Sequence, residues 1–393
     1  MSDASFYDEL RRWPGEEVSA GLAHAPETAA RGAVAAAERG EALTPRDFMA
    51  LLSPAAAPLL EDMARAAQAI TLRQFGRSVQ LFTPLYLANY CTNRCVYCGF
   101  NTGNRIRRSM LSPEEIEREG RAIAATGLRH ILLLTGDAPK KIGPEYIAEA
   151  ARRLRAFFPG IGVEVYAMTV EEYRLLTAAG VDSLTMFQET YNEELYAGLH
   201  PAGPKRDFRF RLDAPQRGAE AGMRCIGIGA LLGLDEWRRD AFFSGLHAAW
   251  LQERYPAVEL SLSVPRMRPH AGVFDRVFPV SDRDLVQYIT ALRLFLPAAG
   301  ITVSSRERAF LRDRLIELGV TRVSAGVSTA VGGHAVASAA EHSGGDAPDV
   351  GQFDISDSRS VDEMAAAIRA RGYQPVFKHW EPLEGASYAC GRN

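Results

Sequence analysis

From residue 79 onward the chain repeats one cadence, a short apolar run followed by a helical stretch of about 15 residues and then another run. The runs fall at 81–87, 131–135, 162–167, 183–187, 225–229, 259–264, 301–304 and 322–325. Consecutive strands joined through helices must lie parallel, and eight such units fit an α/β fold of the (β/α)8 TIM type. Helix starts are marked by Ser112-Pro-Glu-Glu115 and Ser281-Asp-Arg-Asp284, where a capping hydroxyl precedes acids in the first turn. Gly127, Gly180, Gly222 and Gly300 stand where a helix should hand back to a strand. Residues 1–78 read as a helical extension, with Thr44 capping a helix at Pro45 and an alanine-rich amphipathic helix over 61–75. After the barrel, 79–325, comes a closing segment, 326–393: a Gly, Ala, Ser and His-rich lid or loop over 326–351, a capped helix over 360–373, and the ending Gln374 to Trp380.

In a (β/α)8 barrel the chemistry sits past the C-terminal ends of the strands. The first strand runs into Cys91-Thr-Asn-Arg-Cys95-Val-Tyr-Cys98-Gly-Phe100, three cysteines spaced C-x3-C-x2-C. Thr92, Asn93, Gly99 and Gly103 favour a loop wrapped around its ligand over a helix with three sulfurs on one face. Three thiolates can hold three irons of a cubic cluster and leave the fourth open. A scaffold binding structural zinc would need a fourth ligand, such as Cys225, Cys390 or a histidine, and no second C-x2-C half-site exists to supply one. Five cysteines in a long chain also make a poor disulfide framework. Other strand ends carry Thr135-Gly136-Asp137, Glu164, Gln188-Glu189 and Gly227-Ile-Gly229, with Arg211 following. Arg266 and Arg268 are two apart, so both face the lumen if their strand persists. Cys225 lies inside a strand and reads as buried core.

With the aromatic Tyr97 just before its last cysteine, the motif resembles the signature of the radical S-adenosylmethionine family. The resemblance implies a 4Fe-4S cluster held by Cys91, Cys95 and Cys98, whose open iron chelates S-adenosyl-L-methionine. Reductive cleavage would give a 5'-deoxyadenosyl radical, with the electron supplied by an external one-electron reductant of flavodoxin or ferredoxin type. It further implies that Thr135-Gly136-Asp137 binds the methionyl amino group through backbone carbonyls, although the family usually has two glycines and a glutamate there. Tyr97, Glu164, Gln188, Glu189, Arg211 and Gly229 would complete the cofactor site, Glu189 and Arg211 by charge-assisted hydrogen bonds.

Longer stretches resemble the aromatic amino acid lyase branch, most closely the tyrosine lyases of thiazole biosynthesis, the 2-iminoacetate synthases. They include Pro84-Leu-Tyr-Leu-Ala-Asn-Tyr-Cys91, Phe187-Gln-Glu-Thr-Tyr191, Gly227-Ile-Gly-Ala-Leu-Leu-Gly233, Ser263-Val-Pro-Arg-Met-Arg-Pro269, Ser304-Ser-Arg-Glu307 and Phe377-Lys-His-Trp380. This second resemblance implies hydrogen abstraction from the amino group of L-tyrosine and rupture of its Cα–Cβ bond. The products would be 2-iminoacetate (dehydroglycine) and p-cresol, with the imine passed on in a complex with thiazole synthase for thiamine biosynthesis. Arg306 would anchor the substrate carboxylate with help from Ser324, and Tyr86, Arg266 and Arg268 would shape the same pocket. A tryptophan lyase of the branch stays open as an alternative. A hydrogenase-maturation tyrosine lyase fits less well, because its tail carries a second cluster motif and this tail has only Cys390, although Gly351-Gln-Phe-Asp-Ile-Ser-Asp357 resembles both relatives.

The net charge of −3, with arginines dispersed among acids, gives no footprint for nucleic acid. The longest aliphatic stretch, 131–134, cannot span a bilayer, and 1–40 has no apolar signal core. A cytoplasmic enzyme is expected, where thiols stay reduced.

Overall fold

A computed structural model describes residues 5–335, apart from 273 and 275, and residues 351–377. Most of the expected 326–351 loop, the end of Phe377-Lys-His-Trp380 and Cys390 lie outside the described residues. Eight parallel strands close into a barrel: β1 (Ser78–Ala88), β2 (His130–Thr135), β3 (Gly160–Glu164), β4 (Ser183–Glu189), β5 (Cys225–Ala230), β6 (Glu259–Ser263), β7 (Gly300–Val303) and β8 (Arg322–Ser324). β1 closes the ring by pairing with β8 over Gln80–Phe82 and with β2 from Thr83 onward. Its first residues overhang the barrel, and there a ninth parallel strand, β9 (Gln374–Val376), takes the free edge, with Ser78 opposite Gln374. The sequence gives little sign of β9, which is three residues long and carries Pro375.

Hydroxyl caps start the helices as expected. Ser112 Oγ accepts from Glu115 N at 3.2 Å and Ser281 Oγ from Asp284 N at 3.1 Å, while each acid reaches back to the cap backbone. Gly127, Gly180 and Gly222 adopt φ of 89°, 100° and 89°, the left-handed turn that ends a helix at little cost to glycine. Gly300 departs from this reading. The helix before it ends at Phe295, and Gly300 opens β7, where a Cβ would press on Ser261 Oγ at 3.2 Å.

The amino-terminal helices cover one side of the barrel. Phe6 stacks on His247 of the helix Trp237–Arg254 at 4.0 Å, and Phe48 stacks on Phe295 of the helix Asp282–Phe295 at 4.4 Å. Gly245 makes the second contact possible, because a Cβ there would lie 2.3 Å from the Phe48 ring. Shielding of this kind explains why the helix Trp237–Arg254 buries residues nearly all around instead of one stripe. Among the described residues no helix is long and apolar enough to cross a membrane.

Candidate active site

The lumen of the barrel forms a cavity that reaches the residues past the C-terminal ends of the strands, and side-chain alternation decides what lines it. On β2, Leu132 and Leu134 face inward, and Thr135 turns away. On β4, Thr185, Phe187 and Glu189 line the cavity, whereas Gln188 points outward and its amide reaches the Phe208 carbonyl at 3.5 Å. Gln188 is therefore placed off the cavity wall, against its expected place in the cofactor site. Gly229 also differs from expectation: a Cβ there would meet the Ser263 carbonyl at 2.4 Å and the Phe187 ring at 3.2 Å, so its bareness serves strand packing.

The cysteine loop is fixed from two directions. Asp137, just past β2, accepts from Thr92 N at 2.8 Å through its carbonyl and from Asn93 Nδ2 at 2.6 Å through its carboxylate. Gly136 permits this approach, since a Cβ would stand 2.3 Å from the Tyr90 carbonyl oxygen and 3.1 Å from Cys91 Cβ. Opposite, Arg94 N and Val96 N donate to the carbonyls of Ala202 and Leu199. His200 Nδ1 lies 2.8 Å from the Tyr196 carbonyl and must donate to it, so its Nε2 accepts from the buried Tyr97 hydroxyl at 2.6 Å. Burial, then the charge of Lys205, lowers the His200 pKa to about 3, in keeping with a neutral ring.

Cys98 lines the cavity, Cys95 is buried and Cys91 half-buried. Burial raises all three thiols, Cys91 to about 11, and nearby negative charge adds to it, from Asp137 and Cys98 at Cys91 and Cys95 and from Glu189 at Cys98. Thiols held together in such a place become thiolates only with a cation beside them, so the donor set suits an iron–sulfur cluster. Among the described residues no three Cys, His, Asp or Glu side chains converge on a single-ion site. Cys225 is buried in β5, with Arg322 Nη1 3.4 Å from its sulfur.

Glu189 has φ of 74°, a left-handed conformation costly to a side-chain-bearing residue, at a register shift where β4 leaves β5. Its carboxylate meets Lys205 Nζ at 2.5 Å and Arg211 Nη2 at 3.5 Å, while Arg211 Nε donates to the Phe187 carbonyl at 2.7 Å. Burial pushes Glu189 up, but the two cations outweigh it and hold the carboxyl below the usual range. Lys205 was not foreseen. Its only advance sign is the turn Pro201-Ala-Gly-Pro204, where Gly203 at φ 97° packs so closely that a Cβ would lie 2.2 Å from Asn93 Oδ1.

Across the cavity Glu164 ends β3, and burial followed by the nearby Glu189 charge raises its pKa to about 7. Arg306, past β7, also faces the cavity, stands over the Phe353 ring at 3.4 Å and forms no salt bridge among the described residues. Burial lowers its pKa, and the neighbouring Tyr86 and Glu164 oppose that. Ser324 lines the wall beside it and accepts from Ser305 N at 3.0 Å. Tyr86 packs edge-on against Phe100, and its hydroxyl donates to Gln352 Oε1 at 2.8 Å. Arg268 lines the cavity but Arg266 does not. β6 stops at Ser263, so the two-residue alternation fails, and Arg266 instead pairs with the buried Glu307 and with Asp282 at 2.9 Å. Arg268 reaches the same Glu307 at 2.9 Å.

Residues 85–244 match the radical SAM superfamily, and 263–374 match the Biotin and Thiamin Synthesis associated domain. A 2-iminoacetate synthase of Escherichia coli (strain K12) is 41% identical over 344 residues, covering 87% of this chain and 89% of that protein. The chain belongs to the 2-iminoacetate synthase family of radical SAM enzymes. A second 2-iminoacetate synthase, from Salmonella typhimurium, is 40% identical over 86% of this chain and 88% of its own length. Among solved structures, HydG, a maturase of the FeFe-hydrogenase, superposes with a TM-score of 0.83 at 29% identity, over 94% of this chain and 80% of that one. Family membership makes the chain a radical SAM lyase, and S-adenosylmethionine with an iron–sulfur cluster are the family's cofactors.

Proposed function

We propose that the chain cleaves the Cα–Cβ bond of L-tyrosine to 2-iminoacetate and p-cresol, consuming S-adenosylmethionine and yielding 5'-deoxyadenosine and methionine. The observation that carries this reading is Arg306. It is a half-buried guanidinium with no salt bridge among the described residues, facing the cavity that Cys98 also lines. A cation left unpaired in such a wall asks for an anionic ligand, and an amino acid carboxylate matches the guanidinium fork. The 2-iminoacetate synthases at 41% and 40% identity support the same substrate.

In this reading Cys91, Cys95 and Cys98 hold a 4Fe-4S cluster, which, with S-adenosylmethionine bound, supplies the one-electron cleavage that starts the reaction. The chain's own residues bind, orient and exclude water. Arg306 and Ser324 fix the substrate carboxylate, and Tyr86 and Arg268 shape the pocket around the ring and amine. Glu164, Glu189 and Arg211 face the cationic and polar parts of the cofactor, with Lys205 holding the Glu189 carboxylate in place. Holding the amine at the reacting carbon of the cofactor converts an encounter into a unimolecular step, and seating both molecules deep in the barrel lumen limits the access of water to the products. The electron comes from a flavodoxin- or ferredoxin-type donor, and the imine passes to a thiazole synthase, a destination supported by the match to the Biotin and Thiamin Synthesis associated domain.

The test is an anaerobic assay of reconstituted protein with dithionite, S-adenosylmethionine and either L-tyrosine or L-tryptophan. p-Cresol together with 5'-deoxyadenosine from tyrosine alone is the expected outcome. Product from tryptophan and none from tyrosine would reassign the substrate.

A further inference from the structure

Glu189 faces the cavity from a left-handed conformation that a side-chain-bearing residue keeps only where its surroundings over-determine it. Lys205 and Arg211 grip its carboxylate, and its carbonyl accepts from Leu231 N at 2.8 Å. The chain just past it is held from behind by Asp240, on the helix Trp237–Arg254. Asp240 Oδ1 accepts from Thr190 Oγ1 at 3.0 Å and from Tyr191 N at 2.8 Å. Thr190 Oγ1 in turn accepts from Asn192 N at 3.2 Å, which tightens the turn leaving β4. Asp240 and Thr190 are wholly buried, and Asp240 stands behind the cavity wall without lining it. Its Oδ2 makes no hydrogen bond among the described residues. A buried carboxyl is costly unless its hydrogen bonds are made, and the two that this one makes both fall within two residues of Glu189.

We propose that Asp240 is a positioning residue for the cofactor site: by pinning Thr190 and Tyr191 it fixes the left-handed turn at Glu189 and so aims the Glu189 carboxylate into the cavity. Without Asp240, the Thr190 hydroxyl and the Tyr191 N–H would be buried donors lacking an acceptor. The segment would then shift to find one, and Glu189 would relax toward the conformations that a side chain prefers, carrying its carboxylate out of place. The inference rests on the reading that Glu189 serves the cofactor, and adds to it the source of that carboxylate's orientation.

The experiment compares parent, Asp240→Leu, Asp240→Asn, Glu189→Gln and the Asp240→Leu/Glu189→Gln double variant after anaerobic reconstitution. Calorimetry reads the affinity for S-adenosylmethionine, and deuterium uptake by the peptide 187–192 reads the turn itself. Glu189→Gln should weaken S-adenosylmethionine by about 10- to 100-fold, the range for a charge-assisted contact. Asp240→Leu should weaken it by about 10-fold and raise the uptake, and in the Glu189→Gln background it should add less than about 2-fold, because the group it positions is already gone. Burial raises the Asp240 carboxyl to about 8, so most of it is uncharged at pH 7 and a neutral amide is a fair replacement. Asp240→Asn keeps an acceptor for both donors and should therefore stay within about 3-fold of the parent affinity, with parent-like uptake. Asp240→Leu binding as tightly as the parent, losses that multiply in the double variant, or Asp240→Asn as weak as Asp240→Leu would overturn the proposal. If Asp240→Leu does not fold, Thr190→Val removes one tie alone and should cost about 3- to 10-fold, with parent-like affinity again overturning it. Unchanged affinity in Glu189→Gln alone would sink the reading of Glu189 and the proposal's cofactor half with it, and the uptake would still decide whether Asp240 holds the turn.

Discussion

The segment 351–357, whose Gln352 and Phe353 line the cavity, is anchored at its far end by a charge pair whose worth can be estimated. Asp357 is 4% exposed and Arg312 1% exposed, and Arg312 Nη1 meets Asp357 Oδ2 at 2.5 Å. Arg359 Nη2 adds a contact at 2.7 Å, and Arg312 also donates to the carbonyl of Ser324 in the site wall. Burial pushes the Asp357 carboxyl up, but Arg359 and Arg312 outweigh it and hold it at about 2 against an ordinary 3.8. At neutral pH that difference is worth about 2.5 kcal/mol. Because the folded value is depressed, this stability is present above pH 4 and is lost as pH falls from about 4 to about 2. Asp357→Asn removes the charge, keeps the shape and leaves buried Arg312 with a carbonyl in place of a carboxylate, so the loss should reach about 3 kcal/mol. Arg312→Met should cost less, about 2 kcal/mol, since Asp357 retains Arg359 while the Ser324 carbonyl loses its donor. Urea denaturation of cluster-free protein under reducing conditions at pH 7 measures both. An Asp357→Asn variant within about 0.5 kcal/mol of the parent, or an Arg312→Met variant that loses more, would refute the reasoning.

Arg306→Ala should raise the tyrosine dissociation constant by about 10- to 100-fold, the cost of a charge-assisted pair, and calorimetry with the cofactor present would show it. Burial and the Glu189 charge raise the Glu164 carboxyl to about 7, so its negative charge comes in above that pH. Binding of the cationic S-adenosylmethionine should therefore tighten as pH rises through 7, and Glu164→Gln should flatten the profile. Gly136→Ala drives a methyl to 2.3 Å from the Tyr90 carbonyl at the start of the cysteine loop, so iron bound per chain after reconstitution should drop well below the parent.

The barrel was legible because each strand run is bounded by chemistry with a local meaning: hydroxyl caps with acids behind them, and glycines at φ near 90°. Local signals failed where two readings share one residue. Gly300 follows a helix closely enough to pass for its stop but begins β7, and Pro375 hides a strand that survives only on a free edge. Within the site, the cysteine loop sits where the rule that chemistry lies past strand ends expects it, whereas Arg306 stood out only through the resemblance to the tyrosine lyases. Arg266 misled because alternation holds only while a strand lasts, and β6 ends three residues earlier. Lys205 and Gln352 were invisible for a different reason. Each acquires its meaning from a distant partner, Lys205 from the left-handed bulge at Glu189 and Gln352 from Tyr86, 266 positions before it. No pattern within a short window carries such a pairing.

The central claim is that tyrosine's amino group is held where the cofactor's reacting carbon can take its hydrogen. Turnover in D2O of L-tyrosine and of its O-methyl ether tests this directly, because the amine and the phenol exchange their protons with solvent, the ether has no phenol proton, and the carbon-bound hydrogens do not exchange. Deuterium in the 5'-deoxyadenosine formed from both compounds is the predicted result. Unlabelled 5'-deoxyadenosine from the ether in D2O, or label arriving instead from tyrosine deuterated at carbon, would contradict the account.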